Sequence, residues 1–65
     1  MTYQQRLMDE KLELDKKLTK LISFFDSQWF FTLPEAEKNR MEMQSYMMKE
    51  YSSILNERIK DFKKE

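Results

Sequence analysis

The 65-residue sequence contains no cysteine, no histidine and no glycine, and it has a single proline. Without cysteine and histidine the chain can form neither disulfides nor the common structural zinc sites. It also lacks the side chains of Cys- and His-based nucleophilic catalysis, and without glycine it cannot build a Gly-rich phosphate loop. These absences predict a protein that is not an enzyme and that carries no metal and no cofactor.

The length predicts one domain, covering residues 1–65. A chain of this size buries only about 60% of the surface that its unfolded form exposes, so its stability is marginal without additional support. Disulfides, metals and partner chains are the usual sources of that support, and the first two are excluded here. Self-association is the source that remains.

The charges are balanced, with 12 Lys and Arg against 12 Asp and Glu, and the net charge is only +1 over residues 1–25 and −1 over residues 26–65. Because duplex nucleic-acid binders normally carry a basic excess on one face, we expect no duplex partner. A few focused cations could still bind a small anion. No run of about 18 apolar residues is present, so we expect no membrane span. Six methionines without cysteine are typical of a reducing, intracellular setting.

Apolar spacing predicts two long helices and therefore an all-α fold. The first helix covers about residues 3–25, with a stripe at Leu7, Leu14, Leu18, Leu21 and Phe25. The second covers about residues 34–62, with a stripe that recurs every seven residues at Met41, Met48, Leu55 and Phe62.

The predicted helix starts carry capping signals. Thr2 with Gln5 and Thr32 with Glu35 have the spacing of capping boxes, in which each side chain binds a free backbone N–H. Pro34 fits the first turn of the second helix, where its missing N–H costs nothing.

An aromatic elbow, residues 26–33, joins the predicted helices. Its rings and those just before it are Phe24, Phe25, Trp29, Phe30 and Phe31. One interpretation is a hydrophobic plug that closes the end of the hairpin. The other is an interface, or a surface on which a planar ligand stacks.

The two stripes match each other if the helices form an antiparallel hairpin, in which the numbers of facing residues have a nearly constant sum. The apolar pairs are Leu21 with Met41, Leu14 with Met48, and Leu7 with Leu55. The polar pairs between them are Lys17 with Gln44, Glu10 with Tyr51, and Tyr3 with Arg58. Apolar residues meet apolar ones and polar residues meet polar ones, which favours this register.

Each helix also has a second apolar set that one hairpin cannot cover. These residues are Met8, Leu12 and Ile22 on the first helix and Met43, Met47 and Ile54 on the second. Leaving several of them in water forfeits several kcal/mol at about 25 cal/mol per Å², which is comparable to a domain's whole stability. We therefore predict a homo-oligomeric helical bundle.

The candidate ligand-binding residues are Tyr3, Arg6, Lys17 and Arg58. One interpretation treats them as polar layers that fix the register and the oligomeric state. The other places them in a pocket at a subunit junction, where the tyrosine stacks a base and the cations bind phosphates. The lysines at positions 11 and 16 and the paired carboxylates at positions 10 and 13 are expected to face solvent.

Four segments carry a family resemblance. They are 3–7 (YQQRL), 9–18 (DEKLELDKKL), 33–37 (LPEAE) and 48–59 (MKEYSSILNERI). Together they resemble a family of small phage-encoded helical proteins related to a crAss-like phage protein.

The hairpin architecture is also similar to phage sponge proteins that antagonise CBASS and Thoeris defence. Those sponges are oligomers of small hairpins that hold the immune signalling nucleotide between protomers without degrading it. The similarity concerns the mode of action, since Tyr3 follows Thr2 and not a glycine. It implies a non-catalytic phage protein of the host cytoplasm that sequesters a cyclic oligonucleotide or related nucleotide. The alternatives are an inhibitor that binds a host defence enzyme and a purely structural assembly protein.

Overall fold

The chain folds into two long antiparallel helices joined by a short third one, as described by a computed structural model for residues 2–62. Helix α1 covers Tyr3–Phe25, α2 covers Gln28–Phe31 and α3 covers Glu35–Phe62. These residues contain helices and no strand, so the all-α prediction is confirmed. Residues 1 and 63–65 of the predicted domain lie outside the described part.

The start of α1 follows its predicted cap in part. The Thr2 hydroxyl accepts a hydrogen bond of 3.1 Å from the Gln5 backbone N–H, as expected. The Gln5 side chain does not reach back to Thr2, because its amide nitrogen donates to Asp9 one turn later, at 3.0 Å. The cap is therefore one-sided.

The predicted Thr32–Glu35 capping box is wrong. The Thr32 hydroxyl donates to the Trp29 carbonyl at 2.7 Å, so it closes the end of α2 instead of opening α3. Pro34 precedes α3, and its carbonyl accepts the Lys38 N–H at 3.0 Å. Glu35 and Glu37 lie in the first turn of α3, where negative charge complements the helix dipole.

Cross-helix hydrogen bonds fix the antiparallel register. Tyr51 of α3 donates to the Glu10 carboxylate of α1, and Arg58 of α3 donates to the Tyr3 hydroxyl. Both pairs are those that the constant-sum argument predicts. The remaining predicted pairs, such as Leu14 with Met48, stay predictions of the same register.

The core of a single chain is thin. Leu7 and Leu55 are buried where α1 and α3 meet, with Leu55 fully covered, and Phe30 is buried under the elbow. The hairpin measures 49 × 17 × 15 Å and exposes 5304 Å² of surface. A compact monomer of this mass exposes about 4,500 Å². The isolated hairpin therefore leaves more surface in water than a globular domain of its size.

Candidate functional site

A shallow pocket of about 200 Å³ lies beside the start of α1 and the last turns of α3. Its lining residues are Tyr3, Arg6, Leu7, Glu10 and Arg58. Three of the four candidate binding residues are thus brought together by the antiparallel register. This juxtaposition needs both helices, since 55 positions separate Tyr3 from Arg58 in the sequence.

Tyr3 and Arg58 form the fixed part of the pocket. The guanidinium of Arg58 donates to the Tyr3 hydroxyl and lies 5.8 Å from the centre of the Tyr3 ring. The Tyr3 ring also meets the Phe62 ring edge-on, with 6.1 Å between ring centres. The tyrosine is therefore held in place by a cation and by an aromatic neighbour, although its side chain remains exposed.

Arg6 provides the second positive charge. Its side chain is exposed and makes no hydrogen bond or ion pair with another of residues 2–62. A guanidinium in this position can donate two parallel hydrogen bonds to a phosphate or carboxylate without first breaking an internal contact.

Glu10 adds a negative charge to the same pocket, which the sequence argument did not foresee. The prediction that Glu10 belongs to solvated surface holds for its exposure, yet its carboxylate accepts the Tyr51 hydroxyl and lines the pocket. This hydrogen bond raises the pKa of the Tyr51 phenol, with smaller contributions from burial and from the negative charge of Glu10. Two cations and one engaged carboxylate leave the pocket with a net positive charge.

Lys17 lies elsewhere. It is exposed on α1 and does not line the pocket, being two helical turns, or about 10 Å, beyond Glu10 along the helix. Of the four candidate residues, the structure therefore brings together Tyr3, Arg6 and Arg58 and leaves Lys17 apart.

A second polar cluster joins the helices on the other edge of the seam. The Lys11 ammonium contacts Asp15 at 2.6 Å and Ser52 at 3.3 Å, and Ser52 donates to Asp15 at 2.6 Å. These bonds lower the pKa of the Asp15 carboxyl, first through Lys11 and then through Ser52. The expectation that Lys11 faces solvent is wrong, because its side chain is only 26% exposed, against 60% for Lys16.

The chain matches the family model described as Sequestin over residues 1–61. It belongs to the Sequestin family. The family name indicates sequestration, which is a binding role and not a catalytic one. This agrees with the prediction of a non-enzyme made from the composition.

A phage relative supports the same assignment. The chain is 33% identical over 63 residues to an uncharacterized 7.5 kDa protein of the denB–rIIB intergenic region of Enterobacteria phage T4. The match covers 97% of this chain and 98% of the relative. The predicted resemblance to small phage proteins is confirmed at this level, whereas its crAss-like detail stays a prediction. No solved structure matches the chain significantly.

The elbow contains one buried ring and two exposed ones, so the plug interpretation holds for Phe30 and the interface or stacking interpretation stays a prediction. Phe30 is 8% exposed, and its ring meets those of Phe24 and Phe25 at 6.2 and 5.0 Å between centres, which makes it a plug. Trp29 and Phe31 are 65% and 67% exposed. Lys38 lies 5.7 and 5.8 Å from the centres of the Phe30 and Phe31 rings.

Other kinds of site find no support in the described part of the chain. Among residues 2–62 no group of three acidic side chains could hold a metal ion. In the same range, no helix is both long and apolar enough to cross a membrane.

Proposed function

We propose that this chain is a non-catalytic phage protein that counters host defence by sequestering a small signalling nucleotide. The observation that carries the proposal is the pocket in which Tyr3, Arg6 and Arg58 converge from two helices. An exposed aromatic ring beside two guanidinium groups offers what a nucleotide needs, namely a stacking surface for a base and donors for phosphates. The family name, which indicates sequestration, supports the same function.

Subunit junctions are the proposed place of binding, in the cytoplasm of the infected bacterium. The pocket of one chain, about 200 Å³, is smaller than the roughly 300–1,000 Å³ of typical ligand sites. A second protomer beside it would enlarge the site and exclude water from the phosphate contacts. Sequestration of this kind needs no catalytic group, in agreement with a chain that has no histidine or cysteine.

The test is retention of an intact ligand. Purified protein is incubated with a panel of cyclic di- and trinucleotides and related signalling nucleotides, freed of unbound ligand by gel filtration, and denatured by heat. We expect at least one nucleotide to be recovered unmodified in stoichiometric amount. Absence of any retained nucleotide, or recovery of a hydrolysed product only, would contradict the proposal.

A second candidate function is inhibition of a host defence enzyme by direct binding. The observation that favours it is the exposure of Trp29 and Phe31 at the elbow, because large exposed aromatic side chains are typical anchors of protein interfaces. If no nucleotide is retained while Trp29→Ala abolishes protection of phage in infected cells, this function replaces the first.

A further inference from the structure

Two surfaces of the hairpin are unpartnered in the single chain. The first, the α1 groove, is lined by Leu12, Asp15, Lys16, Thr19 and Lys20 and encloses about 380 Å³. Leu12 is exposed there, and lysine side chains carry aliphatic stems that can pack against an apolar partner.

The second surface, the α3 stripe, consists of Met43, Met47, Glu50 and Ile54. Intervals of four, three and four residues place these side chains on one face of α3. All of them are exposed. A methionine-rich stripe of this kind adapts its shape to a partner.

The groove and the stripe lie on opposite edges of the hairpin. Asp15 of the groove bonds to Ser52 across one edge of the seam. Ile54 of the stripe precedes Arg58 by one helical turn, and Arg58 lines the pocket at the other edge. Because the two surfaces differ and lie on opposite edges, the groove of one copy can bind the stripe of another, and the contact can repeat from copy to copy.

The charges of the two surfaces are complementary. Lys20 at the groove and Glu50 in the stripe are both exposed, and neither side chain makes a hydrogen bond or ion pair within residues 2–62. Lys16 at the groove has only a loose contact of 3.7 Å with Glu13. If the stripe of one copy packs in the groove of another, Glu50 lies near Lys16 and Lys20. Contacts between two grooves or between two stripes would instead bring like charges together.

Self-pairing of the stripe is disfavoured for a further reason. The only basic residue between positions 43 and 54 is Lys49, which lies two residues from Met47 and hence about 160° around the helix from it. A two-fold contact centred on the stripe would therefore bury Glu50 of both copies without a cation from the stripe.

We propose that the α3 stripe of one copy docks into the α1 groove of the next, in a heterologous interface repeated around a closed ring. A lateral face of the 49 × 17 × 15 Å hairpin offers on the order of 800 Å², which is what each partner contributes to a standard stable interface. The docked edge runs past Arg58, so the neighbour's α1 forms the missing wall of the ligand pocket. This role of the interface in ligand binding rests on the proposed function.

Charge reversal tests the interface. We expect wild-type protein at micromolar concentration to sediment as an assembly of several 8.1 kDa chains. Glu50→Lys alone, or Lys16→Glu with Lys20→Glu, should raise the concentration for half-assembly by at least about ten-fold, since each variant opposes like charges. Combining all three changes in one chain should restore assembly, as should mixing the two variants if the ring has an even number of copies.

Matched controls keep the test specific. Glu42→Lys makes the same charge change at an exposed position of α3 outside the stripe and should leave the mass unchanged. The substituted side chains are exposed, and helix content by circular dichroism checks that each variant folds. A monomeric wild type, or normal assembly of the Lys16→Glu/Lys20→Glu variant, would overturn the proposal. Because no nucleotide is present, this outcome is separate from the retention test.

Discussion

Ser52 of α3 donates a hydrogen bond of 2.6 Å to Asp15 of α1, on the edge of the helix seam opposite the Tyr3–Arg58 pair. Lys11 contacts both partners of this bond. The two long helices are therefore tied by polar contacts along both edges of an apolar seam, in which Leu55 is fully buried. Because the same register creates the pocket, contacts far from the pocket help to hold its residues in place.

The Asp15 cluster predicts a pH-dependent contribution to stability. The pKa of Asp15 is lowered by the hydrogen bonds from Lys11 and Ser52, so its ionised form favours the folded state. This stabilisation is present above the pKa of an unfolded aspartate, about 4, and is lost as the pH falls through the lower folded value. We expect Asp15→Asn to reduce the melting temperature at neutral pH and to lose this difference in acid.

Thermal melts followed by circular dichroism between neutral and acid pH measure this effect. Asp9→Asn is the matched control on the same helix, since within residues 2–62 the Asp9 carboxylate accepts a hydrogen bond from the Gln5 side chain alone. A difference between Asp15→Asn and wild type that stays constant across the pH range would contradict the assignment.

Tyr51 should ionise at higher pH than an ordinary tyrosine. Its hydroxyl donates to Glu10, which raises its pKa. The neutral phenol therefore favours folding, and this contribution is lost as the pH rises through the pKa of the folded state. In a protein with Tyr3→Phe and Tyr46→Phe, spectrophotometric titration should show Tyr51 shifted upward, and Glu10→Gln should lower its pKa. Titration unchanged by Glu10→Gln would show that the bond is not made in solution.

The thin core predicts high sensitivity at one position. Leu55→Ala should reduce the free energy of unfolding by about 2–5 kcal/mol, because Leu55 is fully buried and its loss leaves a cavity. Asn39→Ala, at an exposed polar position of α3, should change it by less than about 0.5 kcal/mol. Urea denaturation followed by circular dichroism compares the two variants. Equal effects would mean that the seam is not centred on Leu55.

The sequence predicted the register because polar and apolar pairs had to match along two helices at once. That single condition placed Glu10 opposite Tyr51 and Tyr3 opposite Arg58, as the hydrogen bonds confirm. A nearly equal sum also brings Lys11 near Ser52, a pair that the sequence argument did not include. In an antiparallel hairpin, the nearly constant sum of facing residue numbers predicts long-range pairs, provided that every polar residue near the seam is included.

Side-chain direction was harder to predict than helix position. Thr32 has the spacing of a helix cap, yet its hydroxyl turns back to the Trp29 carbonyl because α2 ends there. Lys17 shares the seam pattern of the binding residues but lies two turns from the pocket. The direction of such a side chain depends on which nearby groups are free to bond to it, and residue spacing alone does not predict this.

The exposure of Trp29 provides an optical test of the elbow. Trp29 is the single tryptophan in the chain, and it is 65% exposed in the isolated hairpin. We expect red-shifted emission and ready quenching by acrylamide, both with and without a bound nucleotide. Blue-shifted emission in the assembled protein would instead place the elbow in an interface and weaken the edge-to-edge interface between α3 and α1.

The most direct measurement of the central claim compares ligand retention by Arg58→Ala and Arg40→Ala. Arg58 lines the pocket, whereas Arg40 is exposed and bonded to Glu37 at 3.0 Å. Losing one charge-assisted phosphate contact costs about 1.5–3 kcal/mol, so Arg58→Ala should weaken nucleotide binding by about ten-fold or more in equilibrium dialysis. Arg40→Ala should bind like wild type, and both variants should keep the wild-type mass. Equal retention by the two variants, or dissociation of the assembly by Arg58→Ala, would contradict the account and leave Arg58 as a register contact.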